Sequence, residues 1–243
     1  MDGTGEATEA RSRPRPDARI ADRLGRAPGR RMVPMALLGL VAVAVFTLLG
    51  ATVSHGRTAA FDDGVRTWIL AHRGAAMLWF FQWVSRVGSV TPMVLFAITG
   101  AVLLWFRASR RTASAVLVAP AAAVAAYLGL KGVFQRTRPS GVGNVLEGTY
   151  SFPSAHATTS AAICCTLAYV FWRERILRGV PAVLLAVLGP GLVGMSRVYL
   201  DVHWATDVAG GWIAGIFIAA LSTGLYDSTH RAASHHQEAG EEG

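Results

Sequence analysis

The sequence predicts an all-α protein, a polytopic membrane bundle of about six transmembrane helices. Three observations carry that reading. Hydrophobic residues make up 52% of the chain and charged ones only 16%. Several apolar runs approach or exceed the roughly 18 residues that read as a bilayer-spanning helix. Arginines gather beside those runs, a pattern that speaks first about orientation in a membrane. The net charge of +8 therefore does not argue for nucleic acid. The chain has no basic helix interleaved with aromatics and no recognised nucleic-acid motif.

Residues 1–31 are rich in Arg, Pro, Gly and acidic side chains and are expected to form a disordered basic cytoplasmic tail. A membrane domain should follow over 32–226. Its first span runs from Met32 to about Val53. His55 to Arg73 is mixed, and Phe61, Val65, Trp68, Ile69 and His72 share one helical face there. That predicts a short interfacial helix. Ala75 to Val87 is apolar and aromatic but too short to cross untilted. Thr91-Pro92 reads as a helix start, Thr as N-cap and Pro at N1, opening a second span over about Ser89–Phe106.

The third span is predicted from Thr112 to about Phe134, with a polar, Gly-containing loop from Gln135 to Phe152. The fourth runs from His156 to Trp172. The fifth runs from Val180 to about Arg197, with Gly189-Pro190-Gly191 expected to kink it. The sixth runs from Ala205 to Tyr226. Residues 227–243 are polar and read as a solvated cytoplasmic tail. Its His230, His235 and His236 leave metal binding there as the lesser alternative. Adjacent Cys164 and Cys165 sit inside an apolar run and read as small core residues.

Six spans put both termini on one side. The arginines of the first tail, of 107–111 and of 173–178 fall on that side, which the positive-inside rule makes cytoplasmic. Arg57, Arg66, Arg73 and Arg86 fall on the other side and dissent mildly. Trp105 and Trp172 lie at predicted inner ends, Trp68 and Trp204 at outer ones. Three polar clusters then share the outer face: Lys131–Pro139, Pro153–His156 and Ser196–Asp207. Ionisable groups are costly in a bilayer, so a cluster at its edge is a functional candidate.

The residue types suit an anion. Lys131 and Arg138 share a helical face if their helix continues past Phe134. Ser154 is a good N-cap, and the free N–H groups behind it form an anion site. His156 beside such a site could act as a general acid. His203 and Asp207, four residues apart at a helix start, could touch. A carboxylate on one ring nitrogen fixes the tautomer and prepares the other as a nucleophile toward phosphorus. Arg197 adds a planar donor fork suited to phosphate oxygens. Tyr199, Leu200 and Asp201 read as connector. Snorkelling cations, simple capping and an interfacial ion pair are the bland alternatives for the three clusters. Zinc on His156, His203 and Asp207 is another. Three neighbouring cations would repel a dication and attract an anion.

In these residues the chain resembles the type 2 phosphatidic acid phosphatase superfamily. The signature of that family is Lys-x6-Arg-Pro, Pro-Ser-Gly-His and Ser-Arg-x5-His-x3-Asp. The matches here are Lys131-GVFQRT-Arg138-Pro139, Pro153-Ser154-Ala155-His156 and Ser196-Arg197-VYLDV-His203-WAT-Asp207. The resemblance implies that Lys131, Arg138, Ser154 and Arg197 hold a phosphate. It implies that His203 is transiently phosphorylated, that Asp207 supports it and that His156 protonates the leaving group, with no metal or other cofactor. Ala155 stands where the pattern has glycine. If the loop needs a positive φ there, the N–H cradle would be displaced.

The implied substrate is a lipid phosphate or pyrophosphate at the outer leaflet: undecaprenyl pyrophosphate, phosphatidic acid or phosphatidylglycerol phosphate. Two rivals stand beside it. A vanadium haloperoxidase-like enzyme would use a similar anion site. A lipid-phosphate binding or transport protein would use the cations but would not need both histidines.

Overall fold

The computed structural model describes residues 29–139 and 150–241, and these are helical apart from short connections. The expectation for residues 1–28 and the 140–149 part of the predicted loop lie outside the described residues. Two units are distinguished, Met1–Leu40 and Val41–Gly243. The first contributes the opening of helix α1, which starts at Gly29 inside the stretch expected to be tail. The second holds all that follows.

The helices are α1 (Gly29–Ser54), α2 (Ala59–Ala71), α3 (Ala75–Val87), α4 (Val90–Arg107), α5 (Arg110–Phe134), α6 (Ala155–Arg173), α7 (Val180–Tyr199) and α8 (Ala205–Glu241). Among the described residues, α4, α5, α7 and α8 are each long and apolar enough to cross a membrane. A fifth span is added if α1 and α2, bent by 83° at their junction, count as one. Gly56 lies in that bend with φ +68°, a conformation that glycine adopts without a Cβ penalty.

The expected count of six is not confirmed, since α6 falls outside the helices that length and composition mark as spans among the described residues. It carries Thr158, Thr159, Ser160 and Thr166, all buried. A helix enclosed by its neighbours needs small residues that let backbones approach, not the apolar surface that lipid demands. Gly211 and Gly215 of α8 lie against it: a Cβ on Gly215 would stand 2.5 Å from the Thr158 carbonyl oxygen. Gly100 of α4 meets Leu167, and Ala119 and Ala123 of α5 cluster with Ala162 and Ile218. Cys164 is a core residue, and the Cys165 thiol donates to the Ala186 carbonyl at 3.5 Å.

Outward faces are apolar. Leu48, Phe106, Val133, Val187 and Leu221 are exposed, as suits contact with lipid tails. Together with the apolar helices, this surface describes a multi-pass membrane protein.

Several local expectations change. α4 is capped at Ser89, not Thr91, which places Pro92 at the third helical position. α7 carries Pro190 within the helix, as expected, and the Pro190 carbonyl accepts from the Trp212 indole N–H at 3.0 Å. α8 continues to Glu241, well past Tyr226, with no proline to end it. Asp227 is not tail but pairs with Arg173 and accepts from the Tyr169 hydroxyl. The side chains of His235 and His236 lie outside the described residues.

α2 turns a different face inward than its apolar residues suggest. Phe61 and Trp68 are exposed, while Asp62 and Ile69 are buried. The reason lies in what Asp62 touches.

Candidate active site

The end of α5, the start of α6 and the α7–α8 connection converge. Gln135 stops α5 in the left-handed conformation, φ 45°, with its N–H on the Lys131 carbonyl. Arg138 therefore does not continue the helical face of Lys131. It lies in the non-helical segment that follows, and its Nη1 donates to the Val202 carbonyl at 2.8 Å. Lys131 is buried in the last turn of α5.

α6 opens at Ala155, with Ser154 at its N-cap. The Ser154 N–H donates to the Asp207 carbonyl at 3.0 Å, which ties this helix start to α8. Ser154 makes no side-chain cap, and its buried Oγ has no hydrogen-bond partner. The expected capping role thus fails locally and leaves a hydroxyl at the mouth of a helix N-terminus, where N–H groups and the helix dipole favour an anion. Ala155 is helical, so the position does not need the freedom of glycine. His156 follows in the first turn, half-buried.

His203 precedes α8 and Asp207 lies in its first turn. They meet at 3.3 Å between Nδ1 and Oδ2. On the far side of the ring, Nε2 lies 3.2 Å from Arg138 Nη1. A guanidinium can only donate, so Nε2 is the acceptor and the proton sits on Nδ1, facing Asp207. The hydrogen-bond network thereby assigns one tautomer.

Burial pushes the His203 pKa down to about 4, against the hydrogen bond and charge of Asp207, which raise it. The positive charges of Arg138 and Arg197 act in the same direction as burial. The ring is consequently neutral near pH 7, with a lone pair on Nε2.

Asp207 is fully buried and held on every side. Its Oδ2 accepts from the Trp204 N–H at 2.9 Å and from the Ser151 hydroxyl. Its Oδ1 accepts from Arg136 Nη1 at 2.7 Å. Arg197 is buried at the end of α7, where its Nη1 donates to Ser85 Oγ of α3 at 2.6 Å. The Arg197 carbonyl accepts from the N–H groups of Val202 and His203.

Four residues in this network are not in the motifs. Arg136 sits in the spacer of the first motif and Ser151 in the loop before the second. Thr206 lies within the spacer of the third, and Asp62 lies on α2. Asp62 Oδ1 accepts from the Thr206 N–H at 3.0 Å. Its Oδ2 accepts from the Thr206 hydroxyl at 2.6 Å and from Arg136 Nη2 at 2.7 Å. The one sequence signal was an acid in helical register with Ile69.

The residues read as connector also have work. Asp201, at φ 60°, forms a two-point ion pair with Arg66 of α2, at 2.7 and 2.9 Å. Tyr199 packs on Phe81 and accepts from the Gly74 N–H at 3.1 Å. Trp204 is not a simple interfacial anchor: its indole donates to the Thr137 carbonyl, and Arg136 lies over its ring.

Near the site lies an apolar cavity of about 450 Å³ between α1, α5 and α8, lined among others by Phe46, Gly129, Leu130 and Phe217. Phe46 and Phe134 both pack on Phe152, the residue after Ser151.

Residues 112–231 match the family model described as the PAP2 superfamily. Phosphatidylglycerophosphatase B of Bacillus subtilis (strain 168) is 34% identical over 113 residues, 42% of this chain and 52% of that protein. An undecaprenyl-diphosphatase of Sulfolobus acidocaldarius is 31% identical over 130 residues, 50% of this chain and 59% of that protein. The chain spans little more than half the length of these curated relatives. The crystal structure of a transmembrane PAP2-type phosphatidylglycerolphosphate phosphatase from Bacillus subtilis matches with a TM-score of 0.71. It covers 78% of this chain and 96% of that one at 22% identity, a likeness of fold.

Proposed function

We propose that this chain, whose residues 112–231 match the PAP2 superfamily model, is an integral membrane phosphatase of that superfamily acting on a lipid phosphate or pyrophosphate. The observation that carries this reading is the His203 ring. Its Nδ1 is committed to Asp207 and its Nε2 faces the cationic side of the site. The substrate is undecaprenyl pyrophosphate, phosphatidic acid or phosphatidylglycerol phosphate; the first and last are in keeping with the names of the two relatives. The apolar cavity beside Phe46 and Leu130 supports a substrate with a hydrocarbon tail.

In this mechanism Lys131, Arg138, Arg197, the Ser154 hydroxyl and the N–H groups opening α6 hold the phosphoryl oxygens. They neutralise charge that grows in the transition state. The Nε2 lone pair of His203 forms a bond to phosphorus as the bond to the leaving oxygen breaks. His156 gives that oxygen its proton. Asp207 stabilises the cationic phosphoimidazole through Nδ1–H. Water, losing a proton to His156, then breaks the P–N bond and releases inorganic phosphate. On the six-span reading, in which α6 also crosses, the site faces outward in the plasma membrane and both termini are cytoplasmic.

Purified protein is expected to release phosphate from at least one of these lipids in excess EDTA, and vanadate is expected to inhibit it. A strict requirement for added zinc would favour the metal site instead. Lipid-phosphate binding without any phosphate release would favour the transport reading.

A further inference from the structure

Asp62 is an expensive residue to bury. It is 1% exposed, comes from a helix outside the matched family segment, and reaches Thr206 across 144 positions of sequence. A buried carboxylate must be paired and hydrogen-bonded. Here both oxygens are satisfied, and one of the partners is Arg136, whose other nitrogen holds Asp207. Thr206 closes the ring by donating to Asp62 and accepting from Arg136.

We propose that Asp62 and Arg136 form a positioning pair that sets the orientation and net charge of the Asp207–His203 unit. The inference rests on His203 being the nucleophile. Two carboxylates around one guanidinium leave one negative charge beside the imidazole. That charge is what the ring needs when phosphorylation makes it cationic. With Asp62 neutral, Arg136 and Asp207 would cancel each other and the cation would form without net compensation. The guanidinium also fixes Asp207 Oδ1, so that Oδ2 points at Nδ1. This two-carboxylate bridge uses the planar fork of arginine, whose fixed spacing of two nitrogens the point charge of a lysine ammonium does not reproduce.

Neither Asp62 nor Arg136 is assigned to the phosphate. The pair should therefore govern turnover and leave anion binding alone. The test is Asp62→Asn, which keeps the shape and one of the two acceptor oxygens but removes the charge. It is compared with wild type and His203→Ala in the full-length protein. Steady-state hydrolysis, the inhibition constant of inorganic phosphate and thermal unfolding in detergent are measured together.

A loss in kcat of about 10–100-fold is expected, by analogy with the range seen when hydrogen-bond partners behind a metal-binding histidine are removed. The phosphate inhibition constant should stay within about twofold, since that is set by the cations. Full kcat in folded Asp62→Asn, with His203→Ala inactive, would overturn the pair and leave the nucleophile standing. A phosphate constant that worsens in step with kcat would also overturn it, showing mere distortion of the site. Turnover in His203→Ala would remove both readings. If Asp62→Asn does not fold, Arg136→Lys decides. It keeps the charge but not the bridge, and the same split between kcat and phosphate binding is expected.

Discussion

His203→Ala is expected to abolish turnover, a loss of about 10⁴-fold or more, while lipid phosphate still binds. The size follows from the role: removing a nucleophile that acts as one unit with its partners costs nearly all of their joint effect. Binding should survive because the proposed phosphate ligands come from other places. Lys131 is on α5, Arg138 on the segment after it, Ser154 at the α6 start and Arg197 at the α7 end. Arg138 loses one neighbour, the ring nitrogen, but keeps the Val202 carbonyl. Phosphate release and lipid-phosphate binding measured on the same preparation separate the two effects. Unchanged turnover would exclude a phosphohistidine on this residue.

Asp207→Asn is expected to cost about 10³–10⁴-fold in kcat, comparable to the loss when the orienting carboxylate of a Ser-His-Asp triad becomes an amide. The amide would face Nδ1 with either an oxygen or an NH₂ group. If NH₂ faces the ring, Nδ1 must accept, the proton moves to Nε2 and the lone pair needed for attack is gone. The oxygen-inward alternative turns NH₂ toward Arg136, which can only donate. Both orientations leave one contact donor-to-donor. Kinetics on a protein whose thermal unfolding is checked in parallel would test this. Activity within about tenfold of wild type would contradict the assigned tautomer.

Much of the frame was legible because bilayer spans write themselves as apolar runs. The helices α4, α5, α7 and α8 appear within a few residues of their observed ends, apart from the longer α8. α6 also appears within a residue of its expected ends, although it is not among the helices that length and composition alone mark as spans. Its small and hydroxylated residues are buried by α5 and α8, and burial by protein is invisible in a hydropathy run. The shared face of Lys131 and Arg138 failed for a local reason, the left-handed turn at Gln135. Helical spacing says nothing beyond the residue where the helix stops.

The motif residues were legible from chemistry and order, whereas those behind them were not. Arg136 and Ser151 read as spacer and loop, and Asp62 as one charge on an interfacial helix. Their roles depend on contacts between positions 56 to 144 residues apart. The contacts of Asp62 exist only once α2 has docked by Arg66 on Asp201 and by Asp62 on Thr206. Asp201 was misread as connector for the same reason.

Rapid quenching of the protein with a lipid substrate labelled at its terminal phosphate tests the central claim most directly. Phosphohistidine survives alkali and breaks down in acid, which distinguishes it from phosphoserine. A transient, alkali-stable label that maps to His203, formed in EDTA and released as phosphate, is the expected result. Steady release of phosphate with no label on His203 at any time point would contradict it.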